Sequence, residues 1–144
     1  MGGRRRSREL ALQVLYQIDI TRGNAGDALD LFCKSFEGLE KPGEFSEKLV
    51  EGVCRHRKEI DNIIEKYSDN WKLRRMSKVD RNVLRLAIFE LFYCDDIPSK
   101  VTLNEAIDLG KKFGSEKSGS FINGILDSIS LSIDKDGYEA KETN

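Results

Sequence analysis

Apolar residues recur at helical spacing through almost every segment of this chain, and only two prolines, Pro42 and Pro98, interrupt it. Half-buried strands alternate with period two, whereas spacings of three and four lay one apolar stripe along a helix. The pattern therefore specifies an all-α fold. At 144 residues the chain suits one domain, large enough to bury a core without disulfide or metal staples.

The first helix is expected from about Arg4 to Ile20, with Leu10, Ala11, Val14, Leu15 and Ile18 on one face and a stop at Arg22-Gly23-Asn24. A second takes residues 27–36 and ends before the loop Glu40-Lys41-Pro42-Gly43. From Phe45 to Tyr67, Leu49, Val53, Ile60, Ile63, Ile64 and Tyr67 trace one long helix or two abutting ones, closed by Ser68-Asp69-Asn70. The stretch from Ser77 to Cys94 is apolar on nearly all sides, which places it in the middle of a bundle. Glu90 falls there among Val79, Val83 and Leu86, where a lone carboxylate is costly, so it is expected to have a structural partner. Thr102-Leu103-Asn104-Glu105 reads as a capping box for a helix reaching about Phe113, and a last helix from near Ser118 turns Phe121, Ile122, Ile125, Leu126 and Ile129 inward. About seven helices would thus fill residues 1–133, followed by a polar, charged tail over 134–144 that is expected to be flexible.

Several function classes drop out. No apolar run approaches the length of a membrane span, and Glu9, Gln13, Gln17 and Asp19 interrupt anything like a signal peptide, so a cytoplasmic protein is expected. Cys33, Cys54 and Cys94 are odd in number and far apart, which fits reduced thiols better than a disulfide framework or a metal site. The single histidine, His56, sits in the basic run Arg55-His56-Arg57-Lys58 and reads as a solvated side chain. No histidine pair, Walker loop, nucleophile elbow or dinucleotide fingerprint is present, so neither an enzyme nor a cofactor is expected. Asp95-Asp96 adjoins Pro98 at a helix end, where turn formation accounts for both acids.

Binding surface remains. Arg4, Arg5, Arg6 and Arg8 concentrate four guanidinium groups in a chain of net charge only −1. Arginine forks donate paired hydrogen bonds to phosphate and stack on bases, so the run points to a polyanion; a frayed, solubilising terminus is the competing reading. On the first helix, Leu12 and Tyr16 lie roughly opposite Leu10 and Val14, with Arg5 near the same angle; burial suits Leu12, and Tyr16 suits either burial or stacking. A second cationic stretch, Lys72 to Arg85, holds Arg74, Arg75, Lys78 and Arg81 against one acid, Asp80, and reads equally as a solvated face or a phosphate track. In a third, Lys111, Lys112 and Lys117 bracket the turn before the last helix, whose opening amides at Ser118, Gly119 and Ser120 favour an anion. Phe121 follows, and spacing alone assigns it to the core.

Four separated motifs stand in order along the chain: RRRSRELALQVLYQ from Arg4, WxLxRxSxVDRNVLRLAIFEL from Trp71, IPxKVTLNEAIDLGKKFG from Ile97 and SGSFINGILD from Ser118. Together they resemble the NusB family of bacterial transcription antitermination factors, up to about Ile133. The resemblance implies two three-helix subdomains packed across each other. It also implies binding of single-stranded boxA RNA on nascent, especially ribosomal, transcripts, jointly with the small-subunit ribosomal protein NusE and within an RNA polymerase antitermination complex. By the same resemblance Arg4, Arg5, Arg6 and Arg8 match the arginine-rich RNA-binding start, and the turn around Lys117, Ser118 and Phe121 matches a second RNA-contacting region. Tyr16 and Asp80 match positions near the RNA and NusE surface. Some similar proteins self-associate over that surface, which would make Leu12 and Tyr16 contacts of a homodimer. One departure is Lys117, where many members of the family carry an acid. Two other readings stay open: a helical protein-interaction scaffold, and an RNA-binding piece akin to the N-terminal module of ribosomal RNA cytosine methyltransferases.

Overall fold

A computed structural model describes residues 3–24, 26–28, 43–69 and 71–135. Six α-helices are described, α1 (Gly3–Thr21), α2 (Glu44–Arg55), α3 (Arg57–Tyr67), α4 (Lys78–Tyr93), α5 (Ser99–Phe113) and α6 (Ser118–Lys135), with a 3-10 turn at Leu73–Arg75. No strand occurs among the described residues, in keeping with the all-helical pattern. Of the helix expected over 27–36 only the turn at 26–28 is described, opened by the Asn24 side chain, which accepts from the Asp27 amide at 2.8 Å. Helix α6 continues two residues past Ile133, and the rest of the expected tail, like Cys33, lies outside the described residues.

The helix that is apolar all round does occupy the centre. Helix α4 touches each of the other five, and Val83, Leu84, Ile88 and Leu91 on its several sides are at most 1 % exposed. Helices α1 and α2 pack on each other and on α4, while α5 and α6 pair with each other and close over it from the other direction. Helix α1 ends where Arg22 adopts φ 60°, a left-handed stop taken by a non-glycine residue. Ser77 caps α4 by accepting from the Asp80 amide at 3.0 Å, so Ser77-Lys78-Val79-Asp80 supplies this cap. The box expected at Thr102 does not cap α5, because Pro98 lets that helix begin at Ser99 and places Thr102 inside its first turns. Its hydroxyl donates instead to Glu90.

The segment 45–67 resolves into two helices meeting at His56. The imidazole is half-buried, not solvated as expected, and stacks on Tyr93 with ring centres 4.2 Å apart. Phe89 extends the stack and leaves no room at Gly52, where an added Cβ would lie 2.2 Å from the Phe89 ring. Glycine is required there by that close approach.

Candidate nucleic-acid interface

The arginine run forms the first two turns of α1 and splits by depth, since Arg8 shares the face of Arg4 and Arg5 but lies one turn further in against α4. Arg4, Arg5 and Arg6 have side chains 54 %, 57 % and 68 % exposed, against 5 % for Arg8. Arg8 donates two 2.8 Å hydrogen bonds to the Glu90 carboxylate, which also accepts from Thr102 at 2.9 Å. Burial works against the Arg8 charge, but the Glu90 hydrogen bonds and charge outweigh it and hold the guanidinium above its ordinary range. Glu90 therefore has the partner its surroundings demand, and Arg8 leaves the set of exposed RNA-contact candidates.

The three exposed arginines rest on carboxylates and an aromatic ring. Arg5 forks onto Glu105 at 3.1 and 2.8 Å and reaches Asp108 at 3.3 Å. Arg4 donates to Asp96 at 3.1 Å and lies 4.6 Å over the Phe45 ring. Arg6 stands 3.7 Å from Glu9, which in turn accepts from Lys112 Nζ at 2.8 Å. These bonds hold the Glu105 carboxyl, through Arg5, and the Asp96 carboxyl, through Arg4, below the usual carboxylate range. Arg5, Lys111 and Lys112 line one cleft of about 330 Å³ with Glu9, Glu105 and Asp108. Two regions a hundred residues apart in sequence thus form one surface whose exposed cations are held by two exposed acids, Asp96 and Asp108, and two largely covered ones, Glu105 and Glu9.

The turn before α6 adjoins that surface. The aliphatic stem of Lys111 lies over Gly119, where a Cβ would sit 3.1 Å from Lys111 Cγ. Lys117 is exposed, but Ser118 is buried, its hydroxyl accepting from the Ser115 amide at 2.9 Å. Gly114 packs on that hydroxyl so tightly that a Cβ would lie 2.3 Å from it. The Ser118 amide is already bonded to the Ser115 carbonyl, so the expected seat of three open amides shrinks to those of Gly119 and Ser120. Ser118 shapes the turn from inside. Phe121 is half-buried, neither wholly core nor free, and its ring meets Trp71 edge-on at 5.7 Å.

Leu12 is 2 % exposed and belongs to the core, which removes it as a partner or dimer contact. Tyr16 on the next turn is 38 % exposed, and Ile20 beyond it 52 %. Asp80 is half-buried, and its Oδ1 is shielded without a hydrogen-bond partner among the described residues. The Lys72 to Arg85 stretch divides in two. Arg81 grips Asp19 with two 2.7 Å bonds, and Arg85 joins Asp19 to Asp61. Lys72, Arg74, Arg75 and Lys78 are exposed, with no ion pair among the described residues. Burial pushes the Asp19 carboxyl up, yet hydrogen bonds from Arg81 and Asn82 and the nearby Arg85 charge bring it down to about 2.

Sequence reasoning passed over Trp71 as a surface group and the Asp19 network. It also passed over the acids beneath the arginines, although Glu105 and Asp108, three apart on a helix, are a legible acidic face. No helix among the described residues is long and apolar enough to cross a membrane, and no three of their His, Cys, Asp or Glu side chains group to hold a metal ion.

The family model described as NusB family matches residues 5–131. A transcription antitermination protein NusB from Desulfatibacillum aliphaticivorans is 52 % identical over 142 residues, 99 % of each chain. A solved T. maritima NusB structure superposes with TM-score 0.80 at 38 % identity, covering 89 % of this chain and 90 % of that one. A crystal structure of antitermination factors NusB and NusE in complex with dsRNA matches with TM-score 0.79 at 34 % identity, covering 92 % and 98 %.

Proposed function

The chain belongs to the NusB family, and from that premise we propose that it is a transcription antitermination factor that binds single-stranded boxA-type RNA of nascent transcripts jointly with ribosomal protein NusE. The observation that carries this reading is the cleft that brings Arg5 on α1 together with Lys111 and Lys112 at the end of α5, with Arg6 joined to Lys112 through Glu9. Exposed ion pairs are weak and screened by salt, so phosphate can displace Asp96 from Arg4 and Asp108 from Arg5 at little cost, while the less exposed Glu105 and Glu9 hold Arg5, Arg6 and Lys112 in place beneath it. Phosphate capture supplies salt-sensitive affinity, while Phe121 and Tyr16 offer faces for unstacked bases.

The exposed Tyr16 and Ile20, with Asp80 near the start of α4, supply the protein-facing part of the same reading. NusE docked there raises RNA affinity by offering a second set of contacts on one strand. The work is binding and recruitment within the polymerase complex, in the cytoplasm where transcription occurs.

The test is binding of a short boxA-like RNA and a scrambled control at two salt concentrations, with and without NusE. Sequence-dependent binding that NusE strengthens is expected. Equal, weak and steeply salt-dependent binding to both RNAs overturns the boxA assignment and leaves a basic patch.

A further inference from the structure

Trp71 is the largest apolar side chain left in solvent among the described residues, 52 % exposed. It is not loosely held. Its amide donates to the Ser68 carbonyl at 3.1 Å, and its carbonyl accepts from the Ser68 hydroxyl at 2.8 Å, with Ser68 itself buried. The following Leu73 amide is tied to Glu65 at 3.0 Å, so the 3-10 turn continues the same restraint. The indole is thus displayed from a hydrogen-bonded backbone with about half of its surface open to a ligand.

Its neighbour indicates the ligand. The Trp71 and Phe121 rings meet at 72° with centres 5.7 Å apart, forming an open aromatic corner. Phe121 lies one turn into α6 from Lys117, its amide bonded to the Lys117 carbonyl at 3.0 Å, so the corner is continuous with the cationic turn. Aromatic faces beside lysines and helix-opening amides are what a single strand needs, since every base has a face to stack and every linkage a phosphate.

We propose that Trp71 stacks a base of the bound RNA, extending the strand's path from the Phe121 turn onto the 3-10 turn. This rests on the RNA-binding reading above and adds one nucleotide position to it. The corner takes a base on the open Trp71 face while Lys117 engages a neighbouring phosphate.

Trp71 is the only tryptophan in the chain, so its emission reports on this position alone. A short single-stranded boxA-like RNA is titrated into the full chain while a label on the RNA reports binding independently. The expected result is quenching of emission in step with binding, affinity roughly five- to a hundredfold weaker in Trp71→Ala, and most of it regained in Trp71→Phe. Thermal melting checks the fold of both variants; should Trp71→Ala melt early, Trp71→Phe and the parent's emission decide. RNA binding with unchanged emission and an unaltered Trp71→Ala affinity overturns the inference and leaves the RNA reading standing. No RNA binding by the parent overturns both. An emission change on adding NusE alone, absent with RNA, assigns the corner to protein and overturns the inference as well.

Discussion

The two ends of α1, about 28 Å apart at 1.5 Å per residue, carry ion-pair clusters of similar size and opposite use. At the N-terminal end three arginines more than half exposed rest on acids of α5, of the α4–α5 connection and, for Arg6, of α1 itself. At the C-terminal end Asp19, with a side chain only 5 % exposed, is closed in by Arg81, Asn82 and Arg85. Water decides what each cluster can do. An exposed pair is held weakly and yields to a better anion, whereas a buried one cannot open without stranding a charge. Arg8 shows that the boundary falls within one helical turn, since it belongs to the arginine run by sequence and to the buried class by environment.

Arg8→Ala should be the most damaging single change, because it leaves Glu90 buried without its fork. We expect about 3–5 kcal/mol lost in denaturant unfolding, and a loss under 1 kcal/mol would erase the proposed boundary. Asp19 comes next. Its folded pKa of about 2 lies below the ordinary 3.8, so its contribution is complete above pH 4, fades as pH falls from 3.8 towards 2 and is absent below. Asp19→Asn should remove a pH-dependent part of about 2 kcal/mol. A stability difference between parent and variant that stays constant from pH 7 to pH 2 would show that the ordinary carboxyl value persists there.

The exposed end should respond in the reverse manner. Replacing Arg4, Arg5 and Arg6 together by alanine should lower the melting temperature far less than Arg8→Ala does. The slope of log affinity for single-stranded RNA against log salt should nevertheless flatten by about 2, at about 0.7 per phosphate contact. An unchanged slope would mean that these arginines serve only their carboxylates. The smallest effect is expected for Lys117→Glu, which should weaken RNA binding and leave the melting temperature nearly unaltered; equal RNA affinity would remove Lys117 from the interface.

Helix existence was legible because period and stop signals agree along the chain, down to the turn at Arg22. Caps were less so. Thr102-x-x-Glu105 satisfies the capping pattern as well as Ser77-x-x-Asp80 does, and only the start of α5 at Ser99 decides between them. The need for a partner at Glu90 was readable from its apolar surroundings, but the partner, 82 residues away, was not. Nothing local separates Arg8 from Arg4, Arg5 and Arg6, because burial is set by which way the first helix leans on α4. For the same reason Ser118 reads as an anion donor in sequence and is a buried turn former in space. Trp71 was visible as a motif residue, yet its exposure depends on where α6 places Phe121.

The Arg8–Glu90 contact also has a consequence in time. A ribosome adding roughly 5–20 residues per second needs about 4–16 s to travel from one of these residues to the other. During that interval α1 has been made but the helix that buries it has not. Until then Arg8 has no Glu90 to pair with. The buried fork therefore closes only after α4 has been made, which makes it a late contact of the fold and not a local one.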